Sequence, residues 1–475
     1  MKVIKNYLYN AGYQILIMFA PLITTPYVAR VLGAHNTGVN EYTNSWVTFF
    51  YLVGQLGITL YGNREIAYNH NDFYKRSKTF WEIELLQTCT MSLTLITYLS
   101  AVVLFSTTYK KYFLLQTLWI LATAFDVSWF FMGMEDFKKT VMRNTLVKLI
   151  TISLIFIVVR NGNDLWKYIL LLGLAQLGGN LTLWPYLKQM VCRVPLKDLH
   201  PFKHFYPAFL LFIPTITTQV YLVVNRLMLG HMATPSDLGN FTYADRLVKL
   251  LLALATATGS VMLPNVAKKF ADNDIKGVRE SLYDSFDFVT AIAVPMMFGL
   301  VAIANKFAPW FLGNQYLATG KIMIIESPII VLIAWSTVTG NQYLMPVNRV
   351  KEYTTSVTVG AVLNIIANLF LIHFFAANGA AMATVISEFA VTAMQLFFIR
   401  NTIKRRKLFA ATWRYFFCGI VMCAVVYRFN QMMTMNIVNL TVQILMGIVI
   451  YLVALFIVKA PVIDQARVLI RKINN

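Results

Sequence analysis

Apolar runs of about 20 residues, the length a helix needs to cross a hydrocarbon core, recur from one end of the chain to the other. There are about 14 of them, at roughly 7–32, 43–62, 80–106, 112–133, 144–160, 166–187, 205–230, 239–264, 285–305, 321–345, 353–374, 378–400, 411–428 and 437–458. A membrane barrel is excluded, because its strands alternate apolar and polar residues over about 10 positions. The first run is too long for a cleaved signal peptide, and no small-residue cleavage site follows it. Composition agrees: 58% of the residues are hydrophobic and 13% are charged, against about 25% charged in ordinary soluble domains. The expected fold is therefore an all-α polytopic membrane protein.

The net charge of +20 invites a nucleic-acid reading, but the placement of the charges decides against it. About 28 of the 41 basic residues fall in every second connecting segment, including the 405–407 "RRK" run, and about 8 fall in the others. That asymmetry is the positive-inside pattern. It places both termini in the cytoplasm and requires an even number of spans. Four scattered cysteines make no disulfide framework.

The chain repeats itself. "FAPLITT" at 19–25 returns as "FIPTITT" at 212–218, each followed by an arginine, Arg30 in "VARVLG" and Arg226 in "VNRLMLG". Gly38-x-x-x-Tyr42 and Gly239-x-x-x-Tyr243 come next, at the start of the following run. The second copy restarts at the seventh span, six spans later, so the copies run in the same direction as a parallel repeat. The expected organisation is a six-helix bundle at 1–200, a second at 201–407, and two further helices with a tail at 408–475. Pro21 and Pro214 recur at the same repeat position. Each removes a backbone donor and frees a carbonyl one turn earlier, so both are expected to act as hinges, with Thr24, Thr25, Thr217 and Thr218 meeting the freed groups.

A charge at the bilayer centre costs at least about 2.5–3.5 kcal/mol and therefore needs water, a partner or a ligand. Arg30, Arg226, Arg246 and Lys249 fall toward the same end of repeat-related helices, a positive lining suited to a phosphate-bearing solute. Lys148 and Arg414, near the opposite helix ends, are expected to snorkel. Asp245 beside Arg246 suggests an ion pair across helices. Among the acids, Glu82, Glu84, Asp284 and Asp287 stand at helix entries and read as interfacial caps. Asp126, Glu326 and Glu388 lie deeper, where they pair with cavity cations or carry a coupling Na⁺ or H⁺. Asn364 and Asn368, four apart on one helix face, either line the pore or join helices. No P-loop, paired-cysteine metal site or His-Glu zinc motif is present, so neither catalysis nor a bound metal or cofactor is expected.

The blocks "PYVARVLG" (26–33), "LGITLYGNREIAY" (56–68), "FDVSWFFMGMEDFKK" (125–139), "GNLTLWPYLK" (179–188), "GNQYLMP" (340–346) and "GAVLNIIANL" (360–369), in this order, resemble the Wzx-type oligosaccharide flippases of the polysaccharide transporter family. That family belongs to a superfamily that also holds multidrug extruders and lipid II flippases. The resemblance implies two six-helix bundles forming a V with two helices appended, in a bacterial cytoplasmic membrane. It implies an undecaprenyl-diphosphate-linked oligosaccharide as substrate, with polysaccharide polymerase and other assembly proteins as partners. Alternating access would then bring the diphosphate to Arg30, Arg226, Arg246 and Lys249, with Arg64 guiding entry. Relatives often carry an acid–base pair before the "MLG" of the seventh helix. This chain has Asn225-Arg226, which leaves Arg226 without that neighbour. A cation-coupled multidrug or small-molecule extruder and a non-transporting assembly scaffold are the competing readings.

Overall fold

The structure is a computed structural model that describes residues 2–105, 108–256 and 259–464, with side chains described outside 2–19, 105, 137–139, 213–218, 220–222 and 259–262. The helices are α1 (Lys2–Gln55), α2 (Ile58–Tyr68), α3 (Phe73–Phe105), α4 (Lys110–Ala124), α5 (Ser128–Gly133), α6 (Phe137–Val158), α7 (Leu165–Leu181), α8 (Trp184–Leu187) and α9 (Phe205–Met232). They continue as α10 (Pro235–Thr256), α11 (Gly259–Ala271), α12 (Ile275–Leu312), α13 (Leu317–Glu326), α14 (Ile329–Ser336), α15 (Val350–Phe398), α16 (Arg405–Leu408), α17 (Thr412–Met432) and α18 (Ile437–Ile457). A π-helical stretch, Thr337–Leu344, follows α14. The described helices cover the apolar runs read from the sequence. Seven are individually long and apolar enough to cross a bilayer, and eight when 314–326 and 329–344 are taken as one span bent by 44°. The chain folds as two compact units, residues 1–230 and 231–475.

The junction of the first two passes departs from the sequence reading. Residues 33–42 are polar enough to read as a loop, yet helix runs through them, and the change of direction is confined to Gly33 (φ 77°, ψ 171°). A positive φ is open to glycine at little cost, so one residue suffices as the corner. The polar side chains that follow are held from within: Asn36 Nδ2 donates to the carbonyls of Leu32 (3.0 Å) and Gly162 (2.9 Å). Pro21 and Pro26 lie inside the first arm of α1. Thr24 Oγ1 donates to the Ala20 carbonyl at 3.0 Å, a bond back along its own turn, whereas Pro21 frees the carbonyl of Ile17. The side chains of Pro214, Thr217 and Thr218 lie outside the described residues.

In the first unit, α2, α3, α5, α8 and the start of α9 share one core, containing Tyr61, Phe80, Trp129, Phe130, Leu187 and Ala208. A Cβ at Gly62 would lie 2.5 Å from the Trp129 ring, so glycine sets the approach of α2 to α5. Glu82, expected as an interfacial cap, is instead fully buried and ties the segment before α9 to α3. Its Oε2 lies 2.6 Å from Lys203 Nζ and 3.1 Å from His204 Nε2, and its Oε1 accepts from the His200 amide at 3.0 Å. His204 Nδ1 in turn lies 2.7 Å from the Tyr61 hydroxyl. A carboxylate removed from water needs such partners, and basic residues of the 188–204 segment supply them.

In the second unit, α17 and α18 are stapled along α12. Tyr415 donates to Asp287 Oδ2 at 2.7 Å, so Asp287 also joins helices rather than capping one. Tyr451 donates to the Ala291 carbonyl at 3.0 Å. Lys306 Nζ donates to the carbonyls of Asn430 (2.6 Å), Gln431 (3.0 Å) and Met433 (3.1 Å), closing the C-terminal end of α17 with a positive charge. Asn364 and Asn368 are fully buried, and Asn368 Nδ2 donates to Asn364 Oδ1 at 2.8 Å. Between the two arms of α15, Ala376 takes the turn at φ 47°, ψ −126°.

Candidate substrate-binding site

The second arm of α1 carries a buried polar stripe because helix, not loop, runs through its Asn- and Thr-rich start. Asn40, Glu41 and Thr43 are each at most 9% exposed. Gln116 of α4 closes the stripe, its Nε2 donating to Thr43 Oγ1 at 3.2 Å and its Oε1 accepting from Asn44 Nδ2 at 3.4 Å. Glu41 Oε1 accepts from Asn40 Nδ2 at 3.4 Å, and its Oε2 lies 3.5 Å from Arg226 Nη1 of α9. The Glu41 side chain is 5% exposed and that of Arg226 is 27%. The carboxylate is thus the buried anchor, and the guanidinium reaches from it toward the surface.

Asn225 denies Arg226 the acid that relatives often carry beside it in sequence, yet an acid stands next to it in the fold. The partner comes from another helix, nearly two hundred residues earlier. Sequence reasoning missed Glu41 because it lies in the stretch that composition marks as a loop. The available signal was the repeat itself, which places Glu41 one residue before Tyr42 in Gly38-x-x-x-Tyr42, at the start of the next span.

The second unit has its own acid–base set on α10. Asp245, buried, pairs with Lys249 one turn on at 2.5 Å. The two residues are four apart and so lie on one face of the helix. Arg246 is exposed and stands over the Tyr243 ring at 5.7 Å. The repeat motif makes the same contact in each unit. Tyr42 packs edge-on against Phe113 of α4 at 6.1 Å, and Tyr243 against Tyr316, just before α13, at 5.2 Å.

The remaining sequence candidates are dispersed. Arg30 is exposed on α1 beside the buried Val28 and Ala29. Arg64, exposed on α2, pairs with Glu65 at 3.1 Å and lies over the rings of Tyr61 (5.4 Å) and Tyr68 (5.9 Å). Asp126 occupies the break between α4 and α5, where its Oδ1 accepts from the Ser128 amide at 3.0 Å, so it organises that break. Glu326 is fully buried at the last residue of α13, immediately before the Ser327-Pro328 bend. Glu388 is half-buried on the second arm of α15.

A family model described as "Polysaccharide biosynthesis protein" matches residues 3–270, and one described as "Lipid II flippase MurJ" matches residues 170–450. The chain is 25% identical over 406 residues to a "Putative O-antigen transporter" of Escherichia coli (strain K12), covering 84% of this chain and 96% of that protein. The fold matches that of the lipid II flippase MurJ in an inward closed conformation, with a TM-score of 0.77 at 17% identity over 94% of this chain and 98% of that one. It also matches an inward-facing multidrug resistance MATE family transporter, with a TM-score of 0.64 at 13% identity over 82% of this chain and 95% of that one. The fold is thus the one these two membrane proteins share. With more than half of its length matched by the first model, the chain belongs to the polysaccharide biosynthesis protein family, as a multi-pass all-helical membrane protein.

Proposed function

We propose that this protein is a flippase that moves a polyprenyl-diphosphate-linked oligosaccharide repeat unit from the inner to the outer leaflet of a bacterial cytoplasmic membrane, for envelope or exopolysaccharide synthesis. Family membership and the relatives named as O-antigen transporter and lipid II flippase support the substrate class. The observation that carries the mechanism is the Glu41–Arg226 pair. A buried carboxylate holding a more exposed guanidinium is a pre-formed anion site whose resident anion is a side chain. An incoming diphosphate offers Arg226 two charged, fork-compatible oxygens in place of one carboxylate at 3.5 Å, and so displaces it. When the substrate leaves, Glu41 returns and Arg226 is not left bare. In the second unit, Asp245 and Lys249 exchange in the same way, with Arg246 adding a second donor fork. Arg30 contributes a further guanidinium, and Arg64 meets the headgroup first. Pro21 and Pro214 are the bending points of the access change, and Asp126, Glu326 and Glu388 are not needed for anion exchange.

The test is complementation of flippase-deficient cells, with the accumulated lipid-linked sugar identified. Arg226→Ala should lose polymer export and accumulate the lipid-linked unit, and export that persists unchanged would overturn the reading and favour a scaffold. A second reading, cation-coupled extrusion of a small molecule, draws on Glu326, a carboxylate with no exposed surface beside a helix bend. Glu326→Gln separates the two readings: it abolishes a coupled extruder and leaves an anion-exchange flippase working.

A further inference from the structure

An open apolar groove of about 520 Å³ runs between α6 and α7 of the first unit, away from the acid–base stripe of α1. Its wall includes Val147, Leu154 and Val158 from one helix and Leu170, Leu174 and Gly178 from the other. From Val147 to Val158 the groove is about 17 Å long at 1.5 Å per residue, close to half of a hydrocarbon core of about 30 Å. One end is closed. A Cβ at Gly179 would already lie 3.3 Å from Val147 and 3.4 Å from Arg143 Nη1, and Arg143 is fastened to Asn180 Oδ1 at 2.8 Å.

The other end is open and cationic. Lys167 and Trp166 belong to the wall there. The ammonium of Lys111 stands over the Trp166 ring at 5.0 Å and that of Lys167 at 5.8 Å. Lys110 begins α4 beside Lys111, and Arg160 follows α6. Asp164 is the acid among them, 2.7 Å from Lys167 Nζ, and its Oδ2 is occupied by the amides of Arg160 and Asn161. Four cations against one carboxylate therefore crowd one mouth of a greasy slot. They do so in the connecting segments that carry few basic residues, where the positive-inside bias gives them no reason to gather.

We propose that this groove binds one acyl chain of an anionic phospholipid, with its headgroup phosphate on Lys111 and Lys167. Length selects the occupant. A fatty acyl chain is confined to one leaflet and matches a groove of about 17 Å stopped at its Gly179 end, whereas a polyprenyl chain is longer than that groove. The Trp166 ring that both ammoniums stand over is the kind of side chain that meets headgroups at a membrane interface.

Gly178 makes the test clean, because a Cβ there meets nothing within 4 Å; Gly178→Leu therefore fills the slot without pressing on a neighbour. The full chain would be exchanged into phosphatidylcholine nanodiscs doped with phosphatidylglycerol or with undecaprenyl phosphate, and the retained lipids counted by native mass spectrometry. The wild type should retain phosphatidylglycerol in preference to both other lipids. Gly178→Leu should lose that adduct at an unchanged melting temperature. Lys111→Gln and Lys167→Gln should each lower the preference over phosphatidylcholine about fivefold. Equal retention by Gly178→Leu, an unchanged preference in the lysine variants, or preferred undecaprenyl phosphate would each overturn the proposal. Should Gly178→Leu fail to fold, Lys111→Gln decides alone, since its side chain is exposed.

Discussion

In the proposed exchange Glu41 and Arg226 divide one task unequally: the acid is buried and accepts from Asn40 Nδ2, and the more exposed base projects from α9. Removing either half should therefore have opposite effects. Arg226→Ala leaves the substrate without its fork and should slow flipping in proteoliposomes more than tenfold, about 1.4 kcal/mol or beyond. Glu41→Gln keeps the shape but removes the competing charge, so lipid-linked diphosphate should bind more tightly and leave more slowly. A Glu41→Gln protein with unchanged affinity in equilibrium binding would remove the exchange idea. Arg226 was legible in the sequence, since a cation in an apolar run attracts notice. Glu41 was not, because "AHNTGVNEYTN" has the composition of a loop. Tertiary hydrogen bonds, such as those of Asn36 and Gln116, let helix continue where local composition argues against it. Lys249 shows the complementary limit. Its partner Asp245 was visible four residues earlier, but sequence alone did not choose between a mate on the same helix and one across a gap.

At the scale of helices and their joints, the apolar runs were legible as helices, because length and hydropathy dictate that outcome in lipid. The joints were less legible. The proline positions drew attention, while the sharp corners sit at Gly33 and Ala376. Alanine at φ 47° is strained, and Ala376→Gly should relieve about 1 kcal/mol and raise the melting temperature. The Glu82 tether gives a second test. Glu82→Gln leaves Lys203 and His204 without their carboxylate and should cost about 3 kcal/mol of stability in thermal unfolding. The tether is also sensitive to acid. Burial holds the His204 imidazole below its ordinary pKa, against the opposing pull of Glu82, with Lys203, Tyr61 and Glu65 as the other facing groups. A lowered folded pKa means that the unfolded chain takes the proton first. The contribution is complete above the ordinary imidazole pKa and is lost as pH falls through it toward the folded value. Melting temperature should therefore drop on acidification through that window, and His204→Gln should flatten the slope.

For the whole molecule, the diphosphate of the proposed cargo would link function to the membrane voltage. An inside-negative potential of 100 mV favours outward passage of each negative charge by about 2.3 kcal/mol, and a diphosphate has two to offer. Flipping in cells should slow when an ionophore collapses the potential, and a rate indifferent to it would leave the substrate gradient as the driving force. The repeat was readable from "F-x-P-x-I-T-T" and Gly-x-x-x-Tyr, and within each unit its tyrosine, Tyr42 or Tyr243, makes an edge-on aromatic contact. The repeat begins at α9, but the compact units divide after Gly230, because α9 and the segment before it are bound to the first unit by Glu82 and the core around Ala208.

That placement of α9 dictates where the gene can be cut. Severed after Met232, each separately translated piece keeps its own fastenings: Glu82 retains Lys203 and His204, and the Thr234–Asp237 hydroxyl–carboxylate bond at 2.6 Å still starts α10. Severed near Pro195, at the apparent seam between the sixth and seventh spans, the leading piece carries a naked acid in its interior. Co-expression of the first pair of fragments should restore export in flippase-deficient cells, and co-expression of the second should yield a leading fragment that is degraded.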